Sequence, residues 1–222
     1  MLIALSLAVA TWSGIIPRQI ANLAPIDLAD KHAWFVDLRL AALSNNRALC
    51  RTTLTSPLIS ARPIADKPFV DGCGWRNAVA LSGAGRLRVT IDELTCETAA
   101  ATAMWVTHVL QPAAEQHLQV PVVALQTMGG YSYRNIVGNK LWQDFRSQHA
   151  TANAIDISAF ELQDGRVISI KKHWASTGPQ ADFLRAVHNG ACRYFRVVLG
   201  PDYNAAHRDH FHLDRGYLKS CK

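Results

Sequence analysis

Eight consecutive residues near the end of the chain, His207-Arg208-Asp209-His210-Phe211-His212-Leu213-Asp214, constrain its fold more than any other stretch. From His210 to Asp214 polar and apolar residues alternate strictly, the period of a strand with one buried face. On that reading Phe211 and Leu213 enter a core. His210, His212 and Asp214 share the opposite face, and His207 lies in a turn that can fold back onto it. A second stretch, Ser147 to Asp156, sets Asn153, Ile155 and Ile157 against Ala154, Asp156 and Ser158, so Asp156 falls on a face lined by small residues. The two runs hold four of the nine histidines and three carboxylates. Such clustered nitrogen and oxygen ligands point to a metal site, and a metal site points to hydrolysis.

His149 and Asp156 are seven residues apart, which on a straight strand puts them on opposite faces. On a helix they share a side but stand roughly 10 Å apart, too far to hold one ion. They can meet on a metal only if the chain turns between them, and Thr151 to Asn153 supply a plausible turn.

Ser147-x-His149-x6-Asp156 followed by His210-x-His212 resembles the zinc peptidases that include lysostaphin-type enzymes, D-alanyl-D-alanine metallopeptidases and the penicillin-insensitive murein endopeptidase. Within that group, residues 49–222 are similar to the extensin-like C-terminal domain family of bacteria. Ser147-Gln148-His149-Ala150, Asn153-Ala154-Ile155-Asp156, Ala191-Cys192 and His210-Phe211-His212-Leu213-Asp214 carry the match. The resemblance implies Zn2+ held by His149, Asp156 and His212. Three protein ligands leave a fourth position for water, whose pKa falls from 15.7 to roughly 7. Two positions depart from the pattern: Ala152 stands where glycine is usual, and Tyr133 where the extensin-like domains often carry cysteine.

The general base is open between two residues. His207, His210 and His212 match the His-x2-His-x-His of the murein endopeptidase, whereas Asp209 sits at the offset of the acidic base in D-alanyl-D-alanine peptidases. Strand alternation turns Asp209 away from the ligand face and favours His210, assisted by His207. Gly129-Gly130-Tyr131-Ser132-Tyr133-Arg134-Asn135 resembles a segment in which an arginine holds the substrate carboxylate or polarises the scissile carbonyl. Arg134 matches it, and a guanidinium fork suits that task. Tyr131 and Ser147 are expected to contact substrate in the same cleft. Each residue alone has a plainer reading: a surface or hydrogen-bonded histidine, or an arginine on a glycine-rich turn. Asp214 either orients a ligand imidazole or pairs with Arg215.

The resemblance therefore implies a zinc-dependent peptidase acting on peptidoglycan stem peptides or cross-links. The alternative is a non-catalytic cell-wall-binding or scaffold protein that retains the peptidase fold. The net charge of +6 over 222 residues favours an acidic partner. No arginine-lysine run or basic helix with interleaved aromatics is present, so anionic wall polymer fits better than nucleic acid.

Residues 1–20 open with an uncharged apolar run to Ile16, shorter than the roughly 20 residues of a spanning helix and without the positive start of a signal peptide. They read as a degenerate export signal or a short membrane anchor, with an ordinary buried helix the alternative. The expected location is periplasmic or exported, at the inner membrane if the segment anchors. Residues 21–48 read as an arm or linker, helix-compatible from Asp30 to Leu43. Of the five cysteines, Cys50, Cys73, Cys96, Cys192 and Cys221, none forms a CxxC pair, which speaks against a structural zinc knuckle. Scattered cysteines in an exported protein suggest disulfides, with one thiol left over. Pairing among Cys50, Cys73 and Cys96, and of Cys192 with Cys221, is one scheme, and reduced buried cysteines are the alternative.

Ala78 to Leu81 and Leu87 to Val89 flank Ser82-Gly83-Ala84-Gly85 as a hairpin. A helix is expected from Asp92, as its cap, to about Gln111, ended or kinked by Pro112. Val120 to Thr127 reads as a strand, Asp164-Gly165 as a hairpin turn, Ala181 to Asn189 as a helix closed by Gly190, and Phe195 to Leu199 as a strand. His188 reads as a solvated helix-end residue. The class is α+β: a small antiparallel sheet carrying the zinc ligands, flanked by two or three helices.

Overall fold

A computed structural model describes residues 25–222, so the expected signal or anchor at residues 1–20 lies outside the described residues. Two short helices, α1 (Val36–Ala41) and α2 (Arg47–Thr53), precede β1 (Ile59–Pro63), β2 (Lys67–Val70), β3 (Cys73–Trp75), β4 (Ala78–Ala84) and β5 (Leu87–Thr95). Then come α3 (Cys96–Trp105), a π-helical turn (Val106–Leu110), α4 (Gln111–Leu118) and β6 (Val122–Thr127). A 3-10 turn (Gln148–Thr151) leads to β7 (Ala154–Leu162), β8 (Val167–Ser169), α5 (Ile170–His173) and α6 (Pro179–Ala191). The chain ends on β9 (Val197–Leu199), a 3-10 turn (Ala205–His207), β10 (Phe211–Asp214) and β11 (Ser220–Cys221).

The class is α+β. Nine strands form one sheet in the order β1-β4-β5-β6-β7-β10-β9-β11, with β8 also paired to β7. The β5–β6 and β9–β11 pairs are parallel and the other pairs antiparallel. The register places His212 directly opposite Asp156 and Leu213 opposite Ile155. Ile155, Ile157, Phe211 and Leu213 are fully buried in the core with Trp105, Phe160, Phe183 and Phe195. Side chains on neighbouring positions of a strand point oppositely, so the pair Asp156–His212 emerges on the other face. The indole of Trp105 donates to the carbonyl of Val187 at 3.0 Å, tying α3 to α6 over the core.

Several expectations need correction. Strand β5 continues through Asp92 to Thr95, where Leu94 and Thr95 pair with Val79 and Ala78 of β4 beyond a bulge. Thr95, not Asp92, caps the helix that follows, its hydroxyl accepting from the amide of Thr98. Of the two expectations for Pro112, an end or a kink, the end does not occur: the helix is irregular before the proline and continues past it. The preceding π-turn absorbs the missing amide, as such turns do, and the helix ends at Gln119 in the left-handed region (φ 57°). Gly190 lies inside α6 rather than capping it. A Cβ there would come within 2.3 Å of Val109, so the glycine serves the close approach of two helices. His188 is buried, not solvated: it packs against Phe211 and Trp174, and burial lowers its pKa.

Residues 25–45, expected as an arm or linker, pack into the domain instead. Ile26, Leu28, Leu40 and Leu43 join the main core, and a ring nitrogen of His108 lies 2.8 Å from the carbonyl oxygen of Leu28. Asp37 reaches across the fold to Arg215, whose guanidinium is 1% exposed and also donates to Glu97 (2.7 Å) and to the carbonyl of Tyr194 (3.0 Å). No helix among the described residues is long and apolar enough to cross a membrane.

Disulfides join Cys50 to Cys96 and Cys192 to Cys221, leaving Cys73 as a buried free thiol. Thiol labelling is expected to add nothing to the folded protein and one label per chain in denaturant, mapping to Cys73 by mass spectrometry. Two or more labels without reductant would contradict this pairing.

Candidate metal centre

Three ligand atoms converge on the open face of β7 and β10. His149 Nε2 lies 3.1 Å from His212 Nδ1 and 3.1 Å from Asp156 Oδ1, and His212 Nδ1 lies 2.9 Å from the same oxygen. The sheet register brings Asp156 and His212 together. The 3-10 turn then delivers His149, with Ser147 capping the turn by accepting from the His149 amide. The turn is the one the His149–Asp156 spacing requires, and it reverses at Ala152 in the left-handed region (φ 54°). That conformation costs an alanine roughly 1 kcal/mol. The buried methyl, packed with Trp75 and Ala78, returns about 0.8 kcal/mol, so alanine is tolerated where glycine would be easier.

The outer ring nitrogens decide what the inner ones can do. His149 Nδ1 is 2.8 Å from the carbonyl oxygen of Gly130, which can only accept, so that nitrogen carries the proton. His212 Nε2 donates to Asp214 Oδ2 at 2.9 Å, and the other oxygen of Asp214 accepts from the amide of Gly216. Neutral His149 and His212 therefore aim two lone pairs and Asp156 a carboxylate oxygen at one point, with no hydrogen among them. Such an arrangement calls for a cation, either a proton or a metal ion. Tetrahedral zinc with bonds of roughly 2.05 Å separates its ligand atoms by about 3.3 Å, close to the spacings observed. Both imidazoles also have the outer partner, carbonyl or carboxylate, that metal-binding histidines usually have. The residues present fit the ion.

Without metal, the charge falls to a proton on His212. Burial opposes it, but the carboxylates of Asp156 and Asp214 prevail and push its pKa up to about 9. Burial likewise works against the charge on Asp156, yet hydrogen bonds and charge from His149 and His212 hold it well below the usual carboxylate range. The sign follows from linkage. A folded pKa above the unfolded value near 6.5 gives metal-free protein a stabilisation complete below about pH 6.5 and lost by about pH 9. A zinc ion bound here would take the place of that proton, so its apparent affinity is expected to rise with pH up to about 9, with one proton released per ion. Calorimetry in buffers of different ionisation enthalpy measures that proton.

Around this triangle, Asp156 Oδ2 faces Arg134 (3.7 Å) and His210 Nε2 (3.9 Å). Asp209 stands behind His210, 3.0 Å from its Nδ1, and so orients the imidazole. The hydrogen bond from His210 keeps Asp209 below its ordinary pKa. His207 is turned toward the centre, its ring centroid 5.9 Å from that of His212. Its Nδ1 donates to Asn204 Oδ1 at 2.8 Å, since the Asn204 amide nitrogen is committed to the carbonyl of Gly138. Burial, then the neighbouring His212 and His210 charges, lower its pKa to about 4. His207 is thus neutral at pH 7 and leaves Nε2 as an acceptor.

Arg134, Ser147, His207, His212 and Asp214 line a cavity of about 660 Å³ beside the triangle. Tyr131 is not on its wall. Its ring meets Trp75 edge-on at 4.8 Å beneath the Lys67 ammonium. Tyr133 donates to Asp71 at 3.3 Å, two residues before the free Cys73, while Arg146 stacks on its ring. Arg215 turns away from Asp214 into its own ion-pair network, which leaves Asp214 to orient His212.

Sequence reasoning missed the Gly130 carbonyl, Asn204 and the cavity's aromatic wall. Gly130 carried a signal in the Gly129-Gly130 pair: a Cβ there would meet the carbonyl oxygen of Glu93 at 2.4 Å. Replacing Asp214 with alanine is expected to weaken zinc binding about 10- to 100-fold, measured by competition with a chelator.

No curated protein and no solved structure matches the chain. A family model described as "Extensin-like protein C-terminus" matches residues 48–222, which include every residue of the triangle and its surroundings. The chain belongs to the extensin-like protein C-terminus family.

Proposed function

We propose that this protein is a zinc-dependent peptidase that hydrolyses peptide bonds of peptidoglycan stem peptides or cross-links. The observation that carries the reading is the convergence of His149 Nε2, His212 Nδ1 and Asp156 Oδ1, each imidazole presenting a lone pair because its other nitrogen is a committed donor. These three residues would hold zinc, which when bound supplies Lewis-acid polarisation and a more acidic water.

The chain's own groups do the rest. His210, held by Asp209, takes the proton of the attacking water at Nε2 and returns it to the leaving amine. Arg134 donates to the carbonyl oxygen as negative charge develops there. Its position within 3.7 Å of Asp156 favours that role over holding a carboxylate one residue away. Neutral His207, steadied by Asn204, accepts a hydrogen bond from water or substrate at Nε2. The similarity of the Ser147–Asp156 and His207–His212 patterns to D-alanyl-D-alanine metallopeptidases and the murein endopeptidase supports the substrate class. Two disulfides suit action in an oxidising compartment such as the periplasm.

Incubation of zinc-loaded protein with purified muropeptides tests the proposal. New fragments bearing the elements of one added water, absent when zinc is chelated, are expected. Binding with no new fragment would favour a wall-binding scaffold that keeps the cleft.

A further inference from the structure

We propose that the cavity beside the triangle is a subsite for one bulky apolar side chain of the substrate, next to the bond that is cut. The proposal rests on the hydrolase reading of the centre and departs from the stem-peptide substrate, whose alanine and acidic residues offer no bulky apolar side chain. The volume, about 660 Å³, falls in the range of ligand pockets, roughly 300–1,000 Å³. His207, His212 and Arg134 lie at one end, so the cavity is continuous with the centre. Much of the remaining wall is apolar and aromatic: Leu199, opposite His212 in the sheet, Tyr203, whose ring lies 5.5 Å from that of His207, and Ile136, Val137, Trp142 and Phe145. Trp142 and Phe145, with ring centroids 5.2 Å apart, remain 38% and 56% exposed. Large exposed rings clustered at a cavity mark a binding surface.

The polar groups on the wall show what kind of ligand it takes. Asn139 donates to the Tyr203 hydroxyl and accepts from the amide of Leu141. Gln148 accepts from Asn153, and Thr151 donates to the Gln148 carbonyl. Arg146 donates to the carbonyl of Asp71 and to Asn135, and Ser147 accepts from the His149 amide. Most of these groups answer one another, and the other polar side chains on the wall, Ser220 and Lys222, lie on and just after β11. A sugar chain entering here would lose its water without finding matching partners, whereas an apolar side chain gains by leaving water. Arg134 and His207, which keep capacity for a ligand, both sit at the metal end, where the peptide group would lie.

The test uses acetyl-tetrapeptide amides with phenylalanine, leucine, alanine or glutamate on either side of the central bond. Binding is measured by calorimetry on metal-free full-length protein, and cleavage by mass spectrometry on zinc-loaded protein. The expected result is that phenylalanine or leucine at one flank binds at least about tenfold more tightly than alanine, with the same order in kcat/KM. In Trp142→Ala and Phe145→Ala, both changes at exposed positions, that ratio should shrink toward one. A Trp142-dependent binding preference with no cleavage of any peptide supports the subsite and overturns the hydrolase reading. Cleavage with alanine or glutamate equal to or better than phenylalanine overturns the subsite and keeps the hydrolase. Trp142-dependent binding of chitooligosaccharides without a peptide preference also overturns it.

Discussion

Replacing His210 with alanine is expected to lower kcat about 100- to 10,000-fold while zinc stays bound, because a positioned general base contributes about that much. Replacing His212 is expected to remove activity by another route, through loss of the ion. Structural zinc held by four ligands binds with about 10–16 kcal/mol, so one ligand accounts for about 3 kcal/mol, or at least about a hundredfold in affinity. The two histidines are separated by one residue but differ in what holds them. His212 lies between Asp156 and Asp214, with both ring nitrogens engaged. His210 is held by a hydrogen bond to Asp209 and by packing against His207, and stands 3.9 Å from Asp156, outside the triangle. Zinc titration and steady-state kinetics on the two variants separate the roles. Loss of zinc in His210→Ala, or its retention in His212→Ala, would reverse the assignment.

The second large effect concerns stability. Glu97→Ala is expected to destabilise the fold by about 3 kcal/mol, read from the urea midpoint, because it removes the buried partner of a buried arginine and leaves only half-exposed Asp37 to balance its charge. Glu97 is buried at the start of α3. One of its oxygens accepts from Arg215 at 2.7 Å and the other from the Ser44 hydroxyl. Asp37, the other acid on Arg215, is half exposed, and surface pairs contribute about 1 kcal/mol or less. Asp37→Ala should therefore cost far less than Glu97→Ala. Equal losses would mean that burial does not set the strength of this network. Arg215 directly follows Asp214, so Glu97→Ala should also loosen the support of His212 and weaken zinc binding.

Where neighbouring residues decide the structure, the sequence was informative. Alternation at 210–214 places Phe211 and Leu213 in the core, as observed, whereas His212 comes to stand opposite Asp156 through the register of β7 and β10. Asp164-Gly165 turns β7 into β8, with Gly165 at φ 86°. Both disulfides, Cys50 with Cys96 and Cys192 with Cys221, fall within the expected scheme. What failed depended on contacts between distant parts of the chain. The Asp37–Arg215 pair spans 178 residues, and without it the segment around α1 reads as an arm. Asp92 and Glu93 resemble a helix start, but they lie at a bulge in β5, beyond which Leu94 and Thr95 still pair with β4. A proline in a helical pattern signals a stop unless a π-turn absorbs it, and periodicity cannot show that turn. The cavity wall comes from a loop after Asn135, from β9 and from Tyr203, and no local pattern links them.

X-ray absorption at the zinc edge of reconstituted protein tests the centre most directly. Three ligands from His149, Asp156 and His212 predict one zinc per chain in a shell of nitrogen and oxygen at roughly 2.0–2.2 Å, with the outer scattering of two imidazoles. Failure to bind zinc stoichiometrically, or a sulfur neighbour at about 2.3 Å that would put the ion on Cys73, would contradict it.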